Sequence, residues 1–258
     1  MNKYLADIYR RKDFIIYLVS SGLKAQHRNT LLGYGWWLLD PFLNVLIYYF
    51  VVAVIFKRGG EGYGFYLVIG MVVWRWLNSS IATASKSIVS QAGIITQTYL
   101  PKAVFPVCTT ITQLINFGFG LVVIIMFSLL FRITPGIELL WLPYTVAVQL
   151  LFTTAIALFI GYVCVFIRDI ETLVGHLLRI WFFASPVIWQ EDMFPGRWQW
   201  IIQINPMTHL LSSYRDIFMY HSTPDYQTLL YIGVLSGAAI VAIINFYSVH
   251  EHRIIKAL

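Results

Sequence analysis

The chain has 258 residues, of which 59% are apolar, 17% aromatic and 12% charged, with a formal net charge of +6. A soluble domain carries roughly 25% charged residues, and a body of this length has too little polar surface to cover so many apolar side chains. The composition therefore excludes a soluble enzyme, a disordered tail and a nucleic-acid-binding domain; Cys108 and Cys164, both in uncharged runs, read as small buried apolar groups.

In chain order, residues 2–35 come first. Ile8, Ile15, Ile16, Val19 and Leu23 recur at roughly helical spacing, with Lys12, Lys24, His27 and Arg28 on the polar side. This predicts an amphipathic helix in the membrane interface; the alternative is a basic tail held by anionic lipid. The apolar run 14–19 is too short for a removable signal peptide. A first span is expected over 41–56, extended upstream by Trp36, Trp37, Leu38 and Leu39 past Asp40, then a tight outer turn at Gly59, Gly60, Glu61 and Gly62. The second span, 62–85, is interrupted only by Arg75.

Residues 85–102 are too long for a simple turn. They set Ile88, Val89, Ile94 and Ile95 beside Ser90, Gln91, Thr96 and Gln97, which predicts a short amphipathic helix exposed to the cytoplasm. Residues 103–131 and 139–167 contain no Asp, Glu, Lys or Arg and give spans three and four, since about 20 apolar residues cross ~30 Å of hydrocarbon. The fifth span, 172–190, is interrupted only by Arg179. Residues 191–225 carry Trp198, Trp200, Ile201 and Ile202 before Asn205 and Pro206, and read as outer re-entrant helices rather than an ordinary extracellular loop. The uncharged run 226–250 is the sixth span, where the Gly233–Gly237 spacing permits close helix approach.

The expected fold is thus an all-α integral membrane protein in one domain, with an interfacial segment over 1–35 and a six-span bundle over 36–250. An even count puts both termini on one side. With the termini inside, the inner segments hold Lys3, Arg10, Arg11, Lys12, Lys24, Arg28, Lys86, Lys102, Arg168, Arg253 and Lys256. The outer segments hold only Lys57, Arg58, Arg132, Arg197 and Arg215. This asymmetry favours cytoplasmic termini.

The chain has no phosphate-binding Gly-rich loop, because no Gly is followed by Lys. It has no pair of intramembrane carboxylates for acid–base work. His176 is the only histidine expected inside a span, too few ligands for a metal site.

Five stretches, in order, resemble ABC-2-type export permeases. Residues 28–41, running from Arg28 through Leu32-Gly33 and Trp36 to Pro41, resemble the family's basic interfacial segment and the start of its first span. Leu100-Pro101 and Phe105-Pro106 resemble its loop before span three, and Arg168-Asp169-Ile170 its turn between spans four and five. Ser185-Pro186-Val187, and Asn205-Pro206 followed by Arg215, resemble its outer segments. Two departures are an Asp before Pro41 and a Tyr-Leu-Pro where Phe-Pro is common. The resemblance is nearest to the branch exporting lipid-linked polysaccharides and polyol phosphates (O-antigen, capsule, wall teichoic acid); a drug or haem exporter of the same fold is the alternative.

The resemblance implies a transport subunit, not an enzyme, in a bacterial inner or plasma membrane. It implies two copies of this chain with two ATPase subunits that carry ATP and Mg, and an undecaprenyl-type lipid-linked glycan as substrate. Ser90, Gln91, Thr96, Gln97, Arg168, Asp169 and Glu171 on the inner loops would meet the ATPase. A sugar path needs aromatic faces and amide or hydroxyl groups. Trp37, Asn44 and Tyr48 on span one share a face, as do His176, Arg179 and Phe183 on span five; an interface belt for Trp37 and packing for Tyr48 are the plainer alternatives. Arg179 is read as partnered within the membrane, and Arg75 as snorkelling to the interface.

Overall fold

In the computed structural model the described residues are 4, 10–26, 32–51, 62–97, 100–133, 136–191, 196 and 199–257; of Trp37, Thr96 and Gln97 the backbone alone is described. The readings at Lys3, Ile8, His27, Arg28, Lys57, Arg58, Gly59, Gly60, Glu61, Arg197 and Trp198 lie outside these residues. The described chain forms helices and no strand. They are α1 (Lys12–Gln26), α2 (Trp36–Tyr49), α3 (Tyr63–Ser87), α4 (Ala92–Gln97), α5 (Val104–Leu130), α6 (Leu142–Phe166), α7 (Asp169–Ala184), α8 (Gln199–Ile204), α9 (Pro206–Arg215) and α10 (Tyr226–Ala257).

Four of these are long and apolar enough to cross a membrane: α3, α5, α6 with the turn leading into it, and α10. At 14 and 16 residues, α2 and α7 are shorter. The chain is a multi-pass helical membrane protein. α3 lies at the centre: it is the most buried of the four although the least hydropathic, with most of its side chains enclosed by the neighbouring helices. It packs chiefly on α5 and α6, with α2, α7 and α9 around it; α10 lies along α6, and α1 along α5. α3 starts at Gly62, whose φ of 78° is left-handed and costs glycine little.

α1 turns Val19, Ile15 and Leu18 onto Val104 and Cys108 of α5, and leaves Ile16 and Tyr17 exposed. The inner loop forms the short helix α4. Its aliphatic residues divide: Ile88 and Ile95 turn inward, while Ile94 stays exposed. Ile88 and Ile95 join Tyr4, Phe105, Leu158, Tyr247 and Ile254 in one apolar cluster. That cluster brings both ends of the described chain to one end of the bundle, called here the terminal end.

Two helix boundaries differ from the uncharged windows. α7 stops at Ala184, six residues before the expected end, because Pro186 has no N–H to continue the ladder. α10 runs past 250 to Ala257. Glu251 does not end it, because it forms an ion pair of 3.1 Å with Lys102, and both side chains are buried. α10 begins at an N-cap, Asp225, which accepts from the Thr228 backbone N–H at 3.2 Å and from the Thr228 hydroxyl at 2.6 Å. These bonds hold the Asp225 carboxyl below the usual carboxylate range.

Candidate functional site

The expected path residues sit on two helices that meet at the end of the bundle opposite the termini. The Tyr48 ring lies 5.7 Å from Phe182, and Trp74 of α3 lies 5.6 Å from the same ring. α7 buries Val174, Leu178 and Phe182, spaced four apart, against the bundle. Its other face carries His176, Arg179 and Phe183, all exposed, among exposed Leu173, Leu177 and Ile180. On α2, Asn44 is exposed and donates to its own helix at Asp40 O, 2.8 Å away, while Tyr48 is half-buried. The structure therefore brings the two helices together through Tyr48 and Phe182, and directs Asn44, His176, Arg179 and Phe183 away from the rest of the chain. Trp37 lies in the first turn of α2.

The two arginines that the sequence places within spans differ in their surroundings. Arg75, expected to snorkel, forms an ion pair of 2.9 Å with Asp40 across α3 and α2. This also accounts for the Asp before Pro41, since a carboxylate at that depth needs a cation. Arg179, expected to be partnered, is exposed, with no ion pair among the described residues.

The expected docking residues gather at the terminal end. Arg168, Asp169 and Glu171 are exposed around the start of α7, and Ser90 is exposed before α4 with Gln91 half-buried. Lys86 links the two groups through an ion pair of 2.9 Å with Glu171. Thr96 and Gln97 lie at the end of α4. The segments between α3 and α5 and between α6 and α7 are thus joined by a salt bridge into one polar surface.

At the opposite end three motifs, met separately in the sequence, form one hydrogen-bonded knot. After α7 the backbone of Ser185, Pro186 and Val187 leaves the helix while staying buried. Its carbonyls need donors. Arg215 Nη2 donates to Pro186 O at 2.7 Å and Val187 O at 3.3 Å. The Tyr63 hydroxyl donates to Ile188 O at 2.7 Å and that of Tyr66 to Trp189 O at 2.8 Å. Asn205 caps α9 by accepting from Met207 N. It also accepts from Trp181 Nε1 at 2.9 Å and donates to Ser185 Oγ at 2.9 Å and Ala184 O at 3.3 Å.

Arg215, counted in the sequence among the outer charges, is 2% exposed, and its guanidinium stacks 3.4 Å above the Tyr66 ring. Gly70 is required where this knot meets α3: a Cβ there would lie 2.6 Å from Val187 O and 2.9 Å from Arg215 Nη2. The sequence signal was present in Pro186. A proline inside an apolar run frees carbonyls, and the polar groups downstream are the donors that answer them.

Among the described residues no group of three or more His, Cys, Asp or Glu side chains is placed to hold a metal ion. The profile of the family described as ABC-2 type transporter matches residues 14–219. Among curated proteins, the chain is 28% identical over 230 residues to an O-antigen export system permease protein RfbA of Klebsiella pneumoniae, covering 89% of this chain and 87% of the relative. It is 28% identical over 255 residues to the protein of the same name from Myxococcus xanthus, covering 98% of this chain and 97% of the relative. With a family match that takes in α1 through α9 and with the membrane-crossing helices in place, the chain belongs to the ABC-2 type transporter family.

Proposed function

We propose that this chain is the membrane-spanning permease subunit of an ATP-driven exporter, which moves a lipid-linked cell-surface polysaccharide outward across the bacterial inner or plasma membrane. The observation that carries this is the near-full-length similarity to proteins named as O-antigen export permeases. In this reading the chain crosses the membrane six times. The support is that α7, though short, runs from the terminal end, where Glu171 pairs with Lys86, to the opposite end, where Phe182 and the Asn205 knot lie; α2 is counted as the first span from its uncharged run in the sequence. The gathering of both termini at one end fits an even number of spans, and the basic asymmetry puts that end in the cytoplasm. Burial of Lys102 and Arg215 removes one base from each side and leaves the asymmetry pointing the same way.

Two copies assemble with two ATPase subunits, which hold ATP and Mg. Two exposed faces, Asn44 on α2 and His176, Arg179 and Phe183 on α7, then line a seam between the copies. A polymer sliding through needs many weak contacts, and aromatic stacking tolerates shifts of position. The polar surface around Arg168, Asp169, Glu171 and Ser90 receives the motion of the ATPase. α1 lies in the interface, and α8 and α9 form the re-entrant outer cap.

The test is charge reversal on the docking surface. Arg168→Glu with Asp169→Lys should cut co-purification of the ATPase and export by about tenfold, the order expected when a surface ion pair is replaced by like-charge contacts at an interface. The level of the permease itself should be unchanged. Unchanged assembly and export in this variant would remove the surface from the contact.

A further inference from the structure

A polar furrow runs along α3 and α5, on helices that the sequence reading did not assign to the path. Its first part is a cavity of about 400 Å³ between α3, α5 and Pro41 of α2, lined by Asn78, Ser79, Thr83, Gln113 and Asn116. Its second part, also about 400 Å³, lies between α1, α3 and α5 and reaches Lys86, Ser90 and Gln91 at the terminal end. Thr83 and Gln113 line both parts, which therefore lie side by side along α3 and α5. From Arg75 to Lys86 the furrow follows α3 for 11 residues, about 16 Å at 1.5 Å per residue.

Three features define what would fill it. The first is an aromatic wall: Trp76 and Phe117 stack at 4.5 Å and 20°, and both line the first part. The second is the run of amides and hydroxyls beside that wall, Asn78, Ser79, Thr83, Gln113 and Asn116. The third is charge balance: the cations at the two ends of the furrow are both occupied, Arg75 by Asp40 and Lys86 by Glu171, each at 2.9 Å. An anionic ligand would compete with these carboxylates. A neutral ligand rich in hydroxyl groups would not, because hydroxyls both donate and accept and so match amides and hydroxyls. The volume of each part falls within the ~300–1,000 Å³ range of small-ligand sites.

We propose that this furrow binds the sugar headgroup of the lipid-linked substrate, entering from the terminal end before it reaches the seam between α2 and α7. The proposal rests on the reading of the chain as a glycan–lipid exporter. The furrow selects the hydroxylated sugar, with no specific contact to the phosphate.

Photo-cross-linking in native membranes tests it, with the ATPase co-expressed in cells that make the glycan. p-Benzoylphenylalanine is placed in turn at Ser79, Asn116, Asn44, Phe183 and, as a lipid-facing control, Leu235. Glycan-bearing adducts at Ser79 or Asn116 and none at Leu235 are expected. Glycan adducts at Asn44 or Phe183 alone would overturn the furrow and leave the exporter reading standing. Adducts at Ser79 and Asn116 carrying only sugar-free prenyl phosphate would overturn the choice of ligand. No glycan adduct at any position, with the ATPase still bound, would overturn the exporter reading and the furrow together. A smaller change covers loss of folding by the bulky label. In a Ser79→Cys variant whose Cys108 and Cys164 are replaced by Ala, alkylation by N-ethylmaleimide should be several-fold slower when the glycan is being made than when its synthesis is blocked, and equal rates would overturn the site.

Discussion

Asn205 joins three pieces of chain with one amide: the cap of α9, the indole of Trp181 on α7, and the backbone and hydroxyl at 184–185. No other side chain of that size offers two donors and an acceptor in one plane. Asn205→Ala removes four bonds and leaves Trp181 Nε1 half-buried without its acceptor, so the loss should be about 3 kcal/mol. The check is the thermal unfolding midpoint of the detergent-purified protein, which should fall by several degrees; Asn205→Asp, which keeps the acceptor and loses the donors, should fall less. Arg75 and Asp40 make a different case at the same scale. Each charge is costly alone, and together they are tolerated because they are one ion pair on facing helices.

α10 continues as a helix past 250 with the charge of Glu251 neutralised from the turn before α5. Lys102 is 0% exposed and Glu251 is 8% exposed, so breaking the pair removes a countercharge from a buried ion. Glu251→Ala should therefore destabilise the terminal end by about 3–5 kcal/mol. Lys102→Met combined with Glu251→Leu should recover most of that loss, because replacing both partners by apolar groups of similar size removes the desolvation penalty. Thermal unfolding and the yield of intact permease–ATPase complex measure both. The pair ties the loop before α5 to the end of α10, next to the α4 segment and the Ser90 surface, so the double variant also tests whether a rigid terminal end is needed for export. α7 shows the other outcome of a sequence rule. Its four-residue spacing correctly gives one buried face, and the opposite face is the one with Arg179 and Phe183.

Across the whole molecule the exposed surface is of two kinds. α10 presents Tyr231, Val234, Leu235 and Val249, which suits lipid, whereas α7 presents His176 and Arg179 among apolar residues, which does not. Gly233 of α10 approaches Val148 of α6 within the same chain, so that glycine already serves an internal contact. Two copies should accordingly pair with their α2 and α7 faces toward one another. With Cys108 and Cys164 replaced by Ala, a single Cys in the Phe183→Cys variant should join two copies through a short bismaleimide, and one in Leu235→Cys should not; the reverse pattern on a denaturing gel would place the dimer axis at α10. Phe183 is 55% exposed, so the substitution itself costs little packing.

The sequence by itself determined the membrane class, the four long helices and the family, because each depends on local composition or on short ordered motifs. An uncharged run of 29 residues, 103–131, has one stable fate in water next to a bilayer. The same rule located the outer segment as more than a loop, since Trp200 and Ile202 have no reason to be in one. What sequence could not decide was pairing. Whether Arg75 or Arg179 has a partner depends on which helix faces it. Whether Glu251 ends a helix depends on a lysine 149 positions earlier. The separate Ser-Pro-Val, Asn-Pro and Arg motifs become one structure only when α7, α9 and α3 meet, and the furrow exists only because Asn78 and Ser79 on one helix face Gln113 and Asn116 on another. Burial raises the cost of an unpaired polar group from almost nothing to several kcal/mol, so tertiary contacts decide which charges and amides become structure and which remain open for a ligand.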